Sequence, residues 1–337
     1  MFNDVPPKLT KEVGMKKKVF IVLLLIMGSA AIAVAGQSMM PGEHMQGQQP
    51  GTMPDRPSTS AIDQRFQTAN QWLNQNNLSV TTTAEQAFIN DYLLVAAEGL
   101  PSATANTPAK KRLTAERAAT VIAYRQLAEI LDGVAVVGDT LVKDAELQYD
   151  VVRAAVAGFV KGAQVVYKEY NPQEESALVL VKIGMTGPQS FGKLMYEKLL
   201  GDPNIKKTVI APQPAYKPTP VPLEEKFDGL IIDATEQNFR PALINRIFTP
   251  KGEVLYDPSK ISQKVLVEQG CGEYTNSVEK AKAALETRGA KSPLIVKAAA
   301  AVSPSDLQVS DDDAVKIFSA NQKSGFLAGA KVAFVLK

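Results

Sequence analysis

The stretch Arg112–Leu131, RLTAERAATVIAYRQLAEIL, decides how the rest of the chain is read. Ala115, Ala119, Ile122, Gln126 and Ile130 recur at three- and four-residue intervals and trace one stripe, widened by Ala118, Ala123 and Leu127. Arg117, Thr120, Arg125 and Glu129 fall mostly opposite, and Arg125 with Glu129 has i,i+4 ion-pair spacing. The spacing predicts a helix whose Ala-rich side can approach a sheet closely. Asp132-Gly133 ends it, since Gly costs least in a left-handed C′ position.

Outward from this helix, Phe88 to Ala97 (FINDYLLVAA) reads as a strand before it and Val134 to Thr140 as a strand after it. Asp150 to Lys161 (DVVRAAVAGFVK) reads as a short helix burying Val152, Ala155, Val156 and Phe159. Ala163 to Tyr170 and Ala177 to Met185 read as paired strands joined at Asn171-Pro172. The order β-α-β-α-β-β defines an α+β unit over about 61–200.

Beyond it, residues 201–222 hold six prolines, at 203, 212, 214, 218, 220 and 222, and read as a semi-rigid extended spacer. A second α+β unit is expected over 223–337, so two small α/β-sandwich-like domains follow one another. The 337 residues exceed what a single core usually spans, roughly 250–300. Gly229 to Ala234 is read as a buried strand. Thr249-Pro250-Lys251-Gly252 fits a type I turn between strands 244–248 and 253–256. Residues 276–288 read as a helix and 293–301 as a strand. Ser310 is expected to cap a helix through Ser324, and 330–336 to close with a strand.

The first 35 residues read as an address. Lys16, Lys17 and Lys18 precede 17 uncharged residues, Val19 to Ala35, ending in Ala33-Val34-Ala35. This is a secretory signal peptide cut between Ala35 and Gly36, with Met15 as the expected true start. An uncleaved inner-membrane anchor and a core helix are the alternatives, since 17 residues is the short edge of spanning length. No Cys follows the apolar run, so no lipid anchor is evident. Residues 36–60, rich in Gly, Pro, Gln and Ser, read as a flexible linker. Its Met39, Met40, His44, Met45 and Met53 suggest copper only if a fold fixed their geometry.

Composition bounds the chemistry. Lys plus Arg number 37 and Asp plus Glu 35. Cutting after Ala35 removes five bases and two acids, leaving 32 and 33, a net of −1. That is no footprint of a nucleic-acid binder. One His and one Cys cannot build a His/Cys metal cage or an internal disulfide. Cys271 reads as a buried, inert thiol, with no His to activate it. Asp311-Asp312-Asp313 suits a helix first turn better than a metal site. Gly158 and Gly162 lack the phosphate-loop spacing. Asp228 and Asp233, five apart, would face opposite sides of a regular strand. Tyr167 and Tyr170 read as strand-face residues. No catalytic residue, cofactor or metal is expected.

The segments LTAERAATVIAYRQLAEILDGVAVVGDTLVKD and VVRAAVAGFVKGAQVVYKEY resemble the LPP-twenty lipoprotein family and its flagellar relatives, FlgP and the N-terminal domain of FlgT. The matching positions are Ala115, Ala118, Ala119, Ala123, Tyr124, Arg125, Leu127, Ala128 and Glu129, then Gly133 and Val136, then 158–166, within about 85–185. Residues 229–257 and 309–336 resemble the carboxy-terminal region of exported proteins that carry the same first domain. The resemblance implies a non-enzymatic envelope protein, periplasmic or associated with the outer membrane. It implies assembly with itself and with other envelope or flagellar proteins, as in rings or discs. A periplasmic ligand-binding module is the alternative, and an envelope-acting enzyme comes third.

Overall fold

A computed structural model describes residues 66–209 and 213–337. Its architecture is α+β, and the described residues belong to one compact unit. The first half runs α1 (Gln67–Gln75), α2 (Ala84–Asn90), β1 (Tyr92–Gly99), α3 (Pro108–Asp132), β2 (Ala135–Val137), β3 (Thr140–Leu141), α4 (Val142–Gln148), α5 (Asp150–Lys161), β4 (Gln164–Asn171), β5 (Ser176–Gly184), α6 (Phe191–Gly201) and α7 (Pro203–Val209). Strands β1, β5 and β4 form an antiparallel sheet with β5 in the centre.

Alternation along β5 builds two cores at once. Val179, Val181 and Ile183 face α3 with Leu93, Val95 and Ala97 of β1. Leu178, Leu180 and Leu94 face the other way, against Phe66, Ala69 and Leu73 at α1. The buried line of α3 is Ala115, Ala119, Ala123, Leu127 and Leu131, at strict four-residue spacing. It therefore lies to one side of the expected stripe, leaving Ile122, Gln126 and Ile130 half-buried. The close approach is real. A Cβ on Gly99 would stand 2.2 Å from the Ala119 backbone nitrogen.

Several boundaries differ from expectation. Phe88 to Asn90 are helical, because Thr83 caps α2 by accepting from the Gln86 N–H at 3.2 Å; Asp91, at φ 59°, then turns the chain into β1. α3 begins at Pro108, where a missing N–H costs nothing. Gly133 follows α3 but at φ −82°, so it is not a left-handed cap. Residues 134–140 make two short strands that turn at Gly138, φ 58°.

The second half contains β6 (Gly229–Asp233), β7 (Arg246–Phe248), β8 (Val254–Tyr256), α8 (Gln263–Gln269), β9 (Glu273–Thr275), α9 (Val278–Thr287), β10 (Pro293–Lys297), β11 (Ala300–Ser303), β12 (Asp306–Gln308), α10 (Asp311–Ser324) and β13 (Val332–Val335). A parallel sheet has the order β10-β6-β13-β9. Its Ile231, Ala333 and Val335 pack on Ala281 and Leu285 of α9. A second sheet has the order β11-β12-β7-β8, including the expected β7–β8 hairpin. The expected single strand 293–301 is instead two. The Ala298 N–H bonds to Asp233 and the Ala299 N–H to Gln308, so the chain crosses from one sheet to the other.

Within 201–222, read as an extended spacer, residues 203–209 are instead helical, while 213–222 run extended. Pro203 opens α7, and the Asp202 carboxylate accepts from the Asn204 N–H at 2.8 Å. Proline excludes a helix interior but is favoured at a helix start, where its missing N–H has no partner to lose. Residues 213–222 form a strap on the second half. The Val254 N–H bonds to Pro214, and the Tyr216 N–H bonds to Val254. The rings of Tyr216 and Phe318 meet edge-on at 6.0 Å. The Ser319 hydroxyl accepts from the Val221 N–H at 2.9 Å.

The halves are also joined. The Leu243 and Ile244 N–H groups bond to the carbonyls of Ala135 and Val136, and Phe88 meets Tyr274 with ring centroids 5.3 Å apart. One apolar cluster includes Leu127 and Val181 of the first half and Leu230, Ile232 and Phe334 of the second.

Candidate functional site

Ala35 and Gly36, and the Met and His residues of 36–60, lie outside the described residues. The other singled-out residues have structural partners. The Ser310 hydroxyl accepts from the Asp313 N–H at 3.1 Å and donates to its carboxylate at 2.8 Å, so the Asp311–Asp313 run is a helix start. Burial would raise the Asp228 carboxyl, but the Lys291 and Ser292 N–H groups outweigh it and hold the group below its ordinary value. Asp233 is held low chiefly by the Thr235 hydroxyl, which donates at 2.7 Å. The two acids thus serve separate turns. Tyr167 packs on Trp72 at 5.3 Å and donates to Glu169 at 3.1 Å. Among the described residues no three His, Cys, Asp or Glu side chains converge as metal ligands. Among the same residues no helix is long and apolar enough to cross a membrane.

Cys271 sits where the halves meet, ringed by Tyr196, Tyr256 and Tyr274. The Tyr196 hydroxyl donates to Leu243 at 2.6 Å, that of Tyr256 to Cys271 at 2.5 Å, and that of Tyr274 to Ala242 at 2.7 Å. Burial pushes the thiol up to about 12 and raises all three phenols well above their ordinary value. The thiol stays protonated at neutral pH and is no nucleophile. Beside it a cavity of about 40 Å³ is bordered by Asp91, Thr186 and the Glu273–Arg288 pair. Each of the three Arg288 guanidinium nitrogens donates, to Glu273 at 2.6 Å and to the carbonyls of Ala330 and Gln269 at 2.8 and 2.6 Å. This knot is structural. The sequence does not show it because its members come from α6, β8, β9, the turn before β9 and the residue after α9, with no common spacing.

The sheet edges differ in how they are closed. The outer edge of β1 is met by the Thr81 N–H, which bonds Leu94, and that of β8 by the strap. β10 begins with Pro293 and ends with Lys297, residues that discourage edge pairing. β11 is four residues long and bulged at Val302. β4 is eight residues long; past a bulge at Val166, Tyr167 to Asn171 run in regular register with β5. Among the described residues no strand pairs with its other side. Next to the start of β4 lies an open groove of about 560 Å³ between α5, α6 and the end of β5.

The fold and these edges define an α+β chain of two interlocked sheet-bearing halves. Residues 229–337, from the first residue of β6 to the end, match the family described as Treponema pallidum Tp0624, second domain. No curated protein matches the chain.

Proposed function

We propose that this chain is a non-enzymatic exported envelope protein that works by assembly, with itself and with other envelope or flagellar proteins, in the periplasm or against the outer membrane. The observation that supports this best is the open edge of β4, the longest uncovered strand edge among the described residues. Its outward peptide groups between Tyr167 and Tyr170, with which no other strand among the described residues pairs, can template a strand from a neighbouring subunit. The edge also lies in the segment that resembles ring-forming envelope proteins.

The test uses the protein recovered from its exporting cells. Light scattering should show a mass that rises with concentration above that of one chain. Successive peptide groups of a strand point to opposite edges, so of Lys168→Pro and Glu169→Pro one removes a β5 ladder bond and the other an outward donor; Lys168→Pro also loses the Glu116 contact at 3.8 Å and Glu169→Pro the acceptor of the Ala69 N–H at 3.0 Å. The variant that keeps its native melting temperature should be monomeric. If the protein itself stays monomeric, alone and with envelope extract, the assembly reading fails. If the folded proline variant still assembles, β4 is not the edge used. The groove beside β4 favours a second reading, a periplasmic ligand-binding module.

A further inference from the structure

The buried line of α3, from Ala115 through Ala119, Ala123 and Leu127 to Leu131, advances four residues at a time. A line two residues removed stands about 200° round the helix and so points outward at every step. It reads Leu113, Arg117, Val121, Arg125 and Glu129, and all five are exposed, Leu113 at 65% and Val121 at 43%. Leu100, 66% exposed, follows β1 toward the same end of α3, where the Ser102 N–H bonds the Thr114 hydroxyl at 3.1 Å. Charge along α3 runs against the helix dipole. Between Pro108 and Arg125 there are five bases, Lys110, Lys111, Arg112, Arg117 and Arg125, and one acid, Glu116. The first turn holds no acid and the last turn no base, the reverse of what the dipole favours. Glu175 answers Lys111, and Glu116 answers Arg112. Among the described residues, Arg117 and Arg125 have no carboxylate within ion-pair distance. A local rule broken with no gain inside the fold marks a surface kept for something outside it.

We propose that the outer ridge of α3 docks on an anionic phospholipid bilayer, with Arg117 and Arg125 on headgroup phosphates and Leu100, Leu113 and Val121 entering the boundary between headgroups and acyl chains. The guanidinium fork matches phosphate, and its stem lies along apolar surface while the head stays wet. Cation and aliphatic side chain alternate over about 18 Å from Leu113 to Arg125. That pattern fits a flat surface with charge at one depth and hydrocarbon just below it. A soluble anion would use the arginines and leave the aliphatic tips in water. A protein interface centres on aromatic anchors, and the outward line holds none. Glu129 at the far end sets the lean, so the Lys110 end lies closer to the membrane. The proposal stands apart from the β4 edge: a chain that binds vesicles while monomeric upholds the one where the other fails.

Sedimentation with sucrose-loaded vesicles tests this on the protein recovered from its exporting cells. The vesicles are phosphatidylcholine alone, or phosphatidylcholine with an equal share of phosphatidylglycerol. Binding to the anionic vesicles should be at least about tenfold stronger and should fall as salt is added. Arg117→Gln with Arg125→Gln should weaken it by about tenfold or more at unchanged melting temperature, since both side chains are exposed and unpaired. Leu113→Ser with Val121→Ser should weaken it as well and leave its salt dependence in place. Equal binding to the two kinds of vesicle, or parent-like binding by either pair of variants, overturns the proposal. Displacement by glycerol phosphate at the concentration of the lipid reduces the ridge to a simple anion site and overturns the bilayer. Tighter binding to a polyglutamate peptide than to the anionic vesicles places an acidic protein there and overturns it too.

Discussion

Two glycines show how the backbone, not composition, sets local tolerance. Gly99→Ala places a methyl 2.2 Å from the Ala119 nitrogen, so β1 and α3 must separate; the expected loss is about 3 kcal/mol, the top of the overpacking range. Gly158→Ala, inside α5 with nothing within 4 Å, should instead stabilise by about 0.5–1 kcal/mol. Urea titration of both variants checks the contrast, and similar effects would contradict the packing described. Leu127→Ala, on the fully buried line of α3, should cost about 2–5 kcal/mol, and half-buried Ile122→Ala clearly less. Arg125 and Glu129 form no ion pair, so Arg125→Ala should be nearly silent. The thiol of Cys271 makes a pH prediction. Unfolded it loses its proton near 8.5, folded at about 12, so the unfolded state gains as pH rises between those values. The three tyrosines act in the same direction. Melting temperature should hold to about pH 8 and fall steeply above it, and alkylation of the native thiol at pH 8 should be slow.

At the scale of elements, periodic segments were legible and sites of crossing were not. α5 runs Asp150–Lys161, α10 starts after Ser310, and the β4–β5 and β7–β8 hairpins form, all as their patterns and turn residues indicate. The stripe of α3 was read one step aside because Ala118, Ala119, Ile122 and Ala123 are all small or apolar, so several stripes fit equally. Short elements such as α7, α8 and β12 carry too few residues for a period to show. The strap does not show in the sequence because proline content excludes a sheet interior but not docking on a sheet edge, which needs only the carbonyl of Pro214 and the N–H of Tyr216. Of the candidate site, Cys271 was correctly read as buried, while the tyrosines around it came from distant positions. Removing the strap's anchor should be visible. Ser319→Ala deprives the Val221 N–H of its acceptor, worth about 1 kcal/mol, and should speed proteolytic cutting within 213–222. An unchanged rate would mean that Tyr216 on Phe318 holds the strap alone.

For the whole molecule, the question is whether two halves with their own sheets unfold as one. Chain length and the proline run favour two independent cores, and limited cutting between them would then release two stable pieces. The contacts argue otherwise. Leu230, Ile232 and Phe334 turn away from α9 into the cluster that also holds Leu127 and Val181, and separating the halves would expose that face to water. It would also break the Leu243 and Ile244 bonds to Ala135 and Val136 and leave the Tyr196 hydroxyl without Leu243. At about 25 cal/mol per Å² of apolar surface, exposing even a few such side chains costs a large part of a typical domain's stability. The chain carries its own two probes. Its single Trp, Trp72, packs on Tyr167 in the first half, and its single Cys, Cys271, is buried in the second. Denaturant curves followed by Trp fluorescence and by pulse-labelling of the thiol should share one midpoint, and Phe88→Ala, at the contact with Tyr274, should lower both together. Two midpoints, with only the fluorescence curve moved by Phe88→Ala, would mean that each half is stable without the other.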